Sequence, residues 1–262
     1  MKPRPPEPDP VPDRRSFLMT GVTILAMAGL GISSWRFIDK LRTPDFDFKP
    51  YPDLPGFRQL EGGPVSRGVP ALVGLDPSER PQIVSGEALC AALFSAPRQT
   101  GDLPIAYFSD YRCSICRQVS PRLHALQDSA PVAITWHELP LLGAASLRAA
   151  RAALAARKQG AYDAFHNRLM DSPFLPNNAY LRAVAGEEGA NPDQLIADME
   201  DLAVTRQLGM TAALASRFGF FGTPALVVGR TAFMGDIGQR QLKALIELEQ
   251  QNAATLPCPV TG

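Results

Sequence analysis

Cys113 and Cys116 are the residues of this chain best suited to chemistry. They are spaced C-x-x-C in the run Tyr107-Phe108-Ser109-Asp110-Tyr111-Arg112-Cys113-Ser114-Ile115-Cys116-Arg117. An apolar stretch, residues 103–108, precedes them, and a helical pattern follows. This strand-to-helix setting is where C-x-x-C reads as a redox pair. Cys113 would open the helix, where unpaired N–H groups and the helix dipole favour an anion. A thiolate there is stabilised and becomes a nucleophile, and the charges of Arg112 and Arg117 act in the same direction. Cys116 continues the series Val119, Leu123, Leu126, one apolar helix face. The expectation is therefore an exposed Cys113 at the helix tip and a buried Cys116. A dithiol works through that asymmetry, with one sulfur attacking and a shielded one resolving the mixed disulfide.

Half of a zinc site is the competing interpretation of C-x-x-C. It requires two more Cys or His at a compatible spacing. Only Cys90 and Cys258 remain, both distant, and His124, His137 and His166 form no H-x-x-x-H pair. The histidines are expected to be structural. Asp110, three residues before Cys113, is either a buried group that helps move a proton from Cys116 or a solvated loop carboxylate. Cys90, on a short helix starting near residue 85 and ending near 94, is either a small buried hydrophobe or the partner of Cys258.

The elements that must position the cysteines follow from composition and pattern. The chain has 262 residues and a formal net charge of zero, which allows one large domain with attachments. No basic stripe or zinc-finger spacing points to nucleic acid. Proline is high, at 25 residues, and concentrated in the first 55, so that region is not expected to be compact. Residues 1–16 are basic and Pro-rich. Residues 17–35 are uncharged and largely apolar, close to the length of a membrane-spanning helix, with basic residues before them. Asp13-Arg14-Arg15-Ser16-Phe17-Leu18-Met19 resembles a twin-arginine export motif, and Ala26-Met27-Ala28 offers a small-residue cleavage site. The apolar run continues past that site to Trp35, which favours an uncleaved anchor over a cleaved signal. Either places the body outside the cytoplasm, where disulfides persist.

Residues 36–99 are expected to be a linker and approach segment, with a short strand at 70–75. The body, residues 100–252, begins with a strand at 105–108, a helix at 113–129 in which Pro121 removes one hydrogen bond, and a strand at 132–139. A helical insertion follows at about 143–218, with helices at 145–158, 162–170, 177–185, 191–200 and 202–218. Gly222-Thr223-Pro224 then opens a strand at 225–228. Gly229-Arg230 makes a two-residue turn, 231–234 returns, and a helix at 239–251 presents Leu242, Leu245 and Ile246 on one side. Residues 253–262 form a tail.

Three features in this order carry a family resemblance: Phe108 through Cys116, Ser146 through His166-Asn167-Arg168-Leu169, and Gly222-Thr223-Pro224-Ala225. The chain resembles the DsbA-like branch of the thioredoxin superfamily over residues 100–252. The fold class is thus α/β, a thioredoxin-like fold with a helical insertion, preceded by an N-terminal transmembrane or signal helix. The resemblance implies that Pro224 is cis and faces the cysteines, and X-Pro is where a cis bond is cheap. The Thr223 backbone would then pair with an extended substrate strand beside Cys113. Cys113, Cys116, Pro224 and Thr223 are accordingly the expected site. Oxidising family members often carry Pro-His between the cysteines. Ser114-Ile115 offers less help to a thiolate and points to a less oxidising pair.

The function these readings support is extracytoplasmic thiol–disulfide exchange with exported proteins. It requires a partner that resets the dithiol and implies no metal or organic cofactor. The membrane contact would be made through residues 17–35. A disulfide reductase or isomerase is the alternative in direction. A copper- or zinc-binding protein using the dithiol as soft ligands is the alternative in class. A glutathione-using transferase of related fold would need neither Cys116 nor an export segment.

Overall fold

The computed structural model describes residues 44–68 and 86–258. The expected anchor or signal at 17–35, the export motif and the strand at 70–75 lie outside the described residues. Among those described, no helix is long and apolar enough to cross a membrane.

In chain order the strands and helices are β1 (Phe48–Pro50), β2 (Arg58–Leu60), β3 (Ser66–Arg67), α1 (Glu87–Leu93), β4 (Leu103–Ser109) and α2 (Ser114–Ser129). Next come β5 (Val132–Glu138), α3 (Ala144–Lys158), α4 (Tyr162–Asp171), α5 (Asn178–Glu187), α6 (Pro192–Asp198) and α7 (Leu202–Arg217). The chain closes with β6 (Gly222–Thr223), β7 (Ala225–Val228), β8 (Thr231–Met234) and α8 (Gln239–Gln251). All of them belong to one unit, Phe46–Gly262.

β4 carries core packing on both of its faces. All seven of its residues are buried, as a strand covered on both faces must be. It pairs in parallel with β5, from Leu103 opposite Val132 to Ser109 opposite Glu138. The crossover between them is α2, which continues through Pro121 to Ser129. On its other side β4 pairs antiparallel with β7, and β7 turns into β8. That hairpin turns at Gly229, whose φ of 56° is left-handed, as a two-residue hairpin turn demands.

The pleat of β4 divides the core. Leu103, Ile105 and Tyr107 face one cluster, with Cys116, Val119 and Leu123 of α2 and Leu245 and Ile246 of α8. Ala106 and Phe108 face the other, with Leu89 and Leu93 of α1 and Leu214 of α7. This is the period-two alternation of a strand. Each fully buried leucine or phenylalanine contributes about 1.5–3 kcal/mol.

Helices α3 to α7 lie between β5 and β6, where the helical insertion is expected. Three of them open on side-chain caps: Asn177, Asn191 and Asp201 each accept backbone N–H bonds from the first turn. Such caps satisfy donors that the helix itself leaves free.

The stretch expected as linker departs most from its reading. The main sheet runs β1-β2-β8-β7-β4-β5, so two strands from residues 48–60 extend it beyond β8. Leu54 and Phe57 are buried, and Phe57 meets Phe218 edge-on at 5.2 Å. Arg58 bonds Thr231 at 2.8 Å and Glu249 at 2.7 Å. These strands are three residues long and carry no readable periodicity. Their place comes from a few anchoring side chains. The Cys90 alternatives are also resolved: Cys90 of α1 is disulfide-bonded to Cys258, across 168 residues of sequence.

His137 of β5 is a structural histidine. It is buried, stacked on Phe108 at 4.5 Å, and its Nε2 lies 2.9 Å from the Leu93 carbonyl. Nε2 therefore carries the proton and donates. Burial pushes its pKa down to about 4, from an ordinary 6.5. The unfolded chain thus binds more protons between those values. His137 stabilises the fold fully above pH 6.5, and that contribution is lost as pH falls to about 4, an effect of about 3 kcal/mol. Half-buried His124 is shifted down as well, by burial. Urea unfolding across this pH range should show stability rising with pH. His137→Phe keeps an aromatic ring against Phe108 and should remove about one proton from that slope. An unchanged slope would reject this assignment.

Candidate active site

Cys113 and Cys116 stand at the N-terminus of α2. Cys113 is the N-cap residue, in extended conformation, and the Cys116 backbone N–H points at its sulfur at 3.0 Å. The two sulfurs are joined as a disulfide. Cys116 lies on the buried face of α2, as its spacing predicts. Cys113 does not stand exposed at the helix tip: it too is 0% accessible. The correction has a tertiary cause. The Thr223 carbonyl oxygen lies 3.4 Å from the Cys113 sulfur, and a helix-tip argument takes no account of what packs across the tip.

The Thr223–Pro224 peptide is cis. Thr223 of β6 is brought up to Cys113 from more than a hundred residues away. The Thr223 backbone, however, is not free for a partner. It pairs antiparallel with Ser66, and Gly222 with Arg67, so β3 and β6 form a small second sheet. Residues 66–67 were missed because a two-residue strand leaves no pattern.

The turn from β4 into α2 is held by Asp110. This residue is buried, at 1% exposure, which removes the solvated-loop alternative. One carboxyl oxygen accepts from the Arg112 N–H at 2.7 Å and the Ser146 hydroxyl at 2.6 Å. The other accepts from the N–H groups of Leu141 at 2.7 Å and Leu142 at 3.0 Å. Its backbone carbonyl accepts from the Cys113 N–H at 3.1 Å. Asp110 thus ties the cysteine turn to the loop after β5 and to the first turn of the insertion. Arg117 adds to this. Its guanidinium donates to the Tyr111 carbonyl at 3.2 and 2.9 Å.

A buried polar cluster adjoins that turn. Glu138, the last residue of β5, accepts from the hydroxyls of Tyr111 at 3.0 Å and Tyr162 at 2.5 Å. His166 Nδ1 lies 2.8 Å from the Tyr111 hydroxyl and 3.8 Å from Glu138. Burial pushes the Glu138 carboxyl up. Its interaction with His166 and the charge of Arg157 outweigh that and hold it below its ordinary value. Burial drives both tyrosines far above theirs. A lone acid at the end of an apolar strand run was the only sequence signal for Glu138. His166 of α4 is fully buried and lies against β5 and the turn before α2.

A sheet with a C-x-x-C at the start of a helix, packed against a cis X-Pro strand, defines a thioredoxin-type dithiol scaffold. The DSBA-like thioredoxin domain family matches residues 104–247, more than half of the chain. The protein belongs to the DsbA-like thiol–disulfide oxidoreductase family of the thioredoxin superfamily. Among solved structures, a thioredoxin-like oxidoreductase from Silicibacter pomeroyi DSS-3 is 37% identical, with a TM-score of 0.57; the match covers 62% of this chain and 97% of that one. A periplasmic thioredoxin-like protein from Salmonella enterica serovar Typhimurium is 27% identical, with a TM-score of 0.56, over 65% of this chain and 99% of that one. The catalytic domain of Proteus mirabilis ScsC is 26% identical, with a TM-score of 0.55, over 62% and 94%. No curated protein is significantly similar in sequence to this chain.

Proposed function

We propose that this protein exchanges disulfides with exported proteins outside the cytoplasm, using Cys113 as the reacting sulfur and Cys116 as the resolving one. The observation that carries this reading is the Cys113–Cys116 pair at the N-terminus of α2, with the Thr223 carbonyl 3.4 Å from Cys113. In the reducing direction, the Cys113 thiolate attacks a partner disulfide and one partner thiolate leaves. The Cys116 thiolate then attacks the Cys113 sulfur, the second partner thiolate leaves, and the Cys113–Cys116 disulfide forms. Two electrons pass to the partner. The reverse sequence oxidises a partner dithiol. A second thiol or disulfide partner must reset the pair in either direction.

The environment supports a modest thiolate stabilisation. The Cys116 N–H at 3.0 Å and the helix terminus favour the anion. Ser114-Ile115 supplies no histidine, and the Arg117 guanidinium is engaged by the Tyr111 carbonyl. The periplasmic description of the Salmonella relative supports an extracytoplasmic site of action. Residues 17–35 would serve as an uncleaved anchor or an export signal.

The test is the reduction potential of the pair, by equilibration of the full-length chain against glutathione buffers. We expect a value nearer thioredoxin's, about −270 mV, than that of the strong oxidant DsbA, about −120 mV. Such a value would make the protein a reductase or isomerase. A value near the strong oxidants would make it a disulfide donor. A pair that never equilibrates would remove the redox reading and leave soft-metal binding.

A further inference from the structure

The edge of β6 beside the dithiol is already occupied by the chain itself. Ser66 pairs with Thr223 and Arg67 with Gly222, antiparallel, and the Thr223 carbonyl lies 3.4 Å from the Cys113 sulfur. We propose that residues 62–68 are an intrachain strap that fills this edge as an extended partner peptide would. Peptide-borne disulfides then reach Cys113 only when the strap lifts. The inference rests on the redox reading above and adds regulation to that same site.

Both ends of the strap lie against backbone, the end of β8 and the residues after it on one side and the loop after β5 on the other. At its start the Gly63 N–H donates to the Met234 carbonyl at 3.0 Å. A Cβ on Gly62 or Gly63 would run into the backbone carbonyls of Met234 and Asp236. At its end a Cβ on Gly68 would run into the Leu141 carbonyl. The Leu141 N–H is in turn held by Asp110, in the turn that sets Cys113. The glycines let backbone lie on backbone, which a strand laid across a site requires. Between them the Arg67 guanidinium sits 4.9 Å from the Phe221 ring centroid. Phe221 is otherwise a large apolar side chain with half its surface in solvent.

The strap is built to be displaced. Only two residues pair, Ser66 is half-buried, and Arg67 and Gly68 are exposed. A pairing this short is marginal by itself. Tethering gives it an effective concentration on the order of millimolar, enough to exclude a dilute peptide and weak enough to yield to a better one. The occupant that best replaces it is an extended segment adding to β6 by backbone hydrogen bonds, with a cationic side chain for Phe221 and a small residue beside Leu141.

Two variants of the full-length chain test this, Gly68→Val and Arg67→Glu, each reduced and then mixed with two disulfides. One is a ten-residue unstructured peptide whose single cysteine carries nitrothiobenzoate. The other is the small symmetrical nitrothiobenzoate disulfide. Cys113 displaces nitrothiobenzoate in both cases, and its absorbance gives the rate. Lifting the strap should speed the peptide reaction about tenfold in Gly68→Val and a few-fold in Arg67→Glu. The small reagent should change by less than twofold. Adding a synthetic peptide of residues 62–68 should slow the variants again. Arg67 is exposed, so Arg67→Glu carries the test if Gly68→Val does not fold. Unchanged peptide rates, or equal acceleration of both reagents, would overturn the strap while leaving the dithiol intact. If no protein reacts with either reagent, the redox reading itself fails, and the strap falls with it.

Discussion

Cys113→Ser is expected to leave the chain folded and to reduce disulfide exchange to background, a loss of roughly 10³-fold or more. Serine fills the same N-cap position and accepts the same N–H bond that the Cys116 backbone directs at position 113. It cannot form a stable bond to a partner sulfur. Cys116→Ser should behave differently. Its Cys113 still attacks, but nothing displaces the partner, so mixed disulfides accumulate and survive non-reducing electrophoresis. Partner proteins could be recovered from that adduct. The assignment of roles would be wrong if Cys113→Ser were the variant that trapped partners and Cys116→Ser the one that failed to react. Cys113 holds the N-cap position, where the Cys116 N–H and the helix terminus favour a thiolate, which is why it is assigned the attack and Cys116 the resolving step.

Asp110→Ala should be the most damaging single change near the site. It deprives the N–H groups of Arg112, Leu141 and Leu142, and the Ser146 hydroxyl, of their acceptor. A donor left unpaired when buried costs about 1–3 kcal/mol. Two of these bonds are only partly buried, so we expect a total loss of about 3–5 kcal/mol. Urea unfolding would measure it, and a loss below about 1 kcal/mol would show that these bonds do not hold the loop. The same variant should change the reactivity of Cys113 toward small disulfides, because Asp110 anchors the turn through the Cys113 N–H. Asp110→Asn keeps one carbonyl acceptor and should lose about half as much stability.

Local pattern made much of this protein legible. The apolar run before Cys113, the helical face through Cys116, Val119 and Leu123, and the Gly229 turn are each defined by residues within a few positions of one another. So are the helices of the insertion, whose caps at Asn177, Asn191 and Asp201 stand immediately before their apolar faces. The order of the C-x-x-C, the insertion and Gly222-Thr223-Pro224 was enough to suggest the family, and the family match over 104–247 agrees with it.

What stayed hidden depends on residues far apart in sequence. Asp110 reads equally well as a loop acid until Leu141, Leu142 and Ser146 are placed around it. Glu138, His166, Tyr111 and Tyr162 come from β5, α4 and the turn before α2, and only their packing makes them a cluster. The pairing of Cys90 with Cys258 spans 168 residues, a choice no spacing rule makes. Sequence alone determined the dithiol, the helix that carries it and the succession of elements along the chain from residue 103 onward, because periodicity and turn chemistry act locally. Tertiary structure alone decided that Cys113 is covered and that β3 occupies the edge of β6. The first follows from a distant backbone carbonyl reaching the Cys113 sulfur and the second from backbone pairing with backbone, contacts to which side-chain pattern contributes almost nothing.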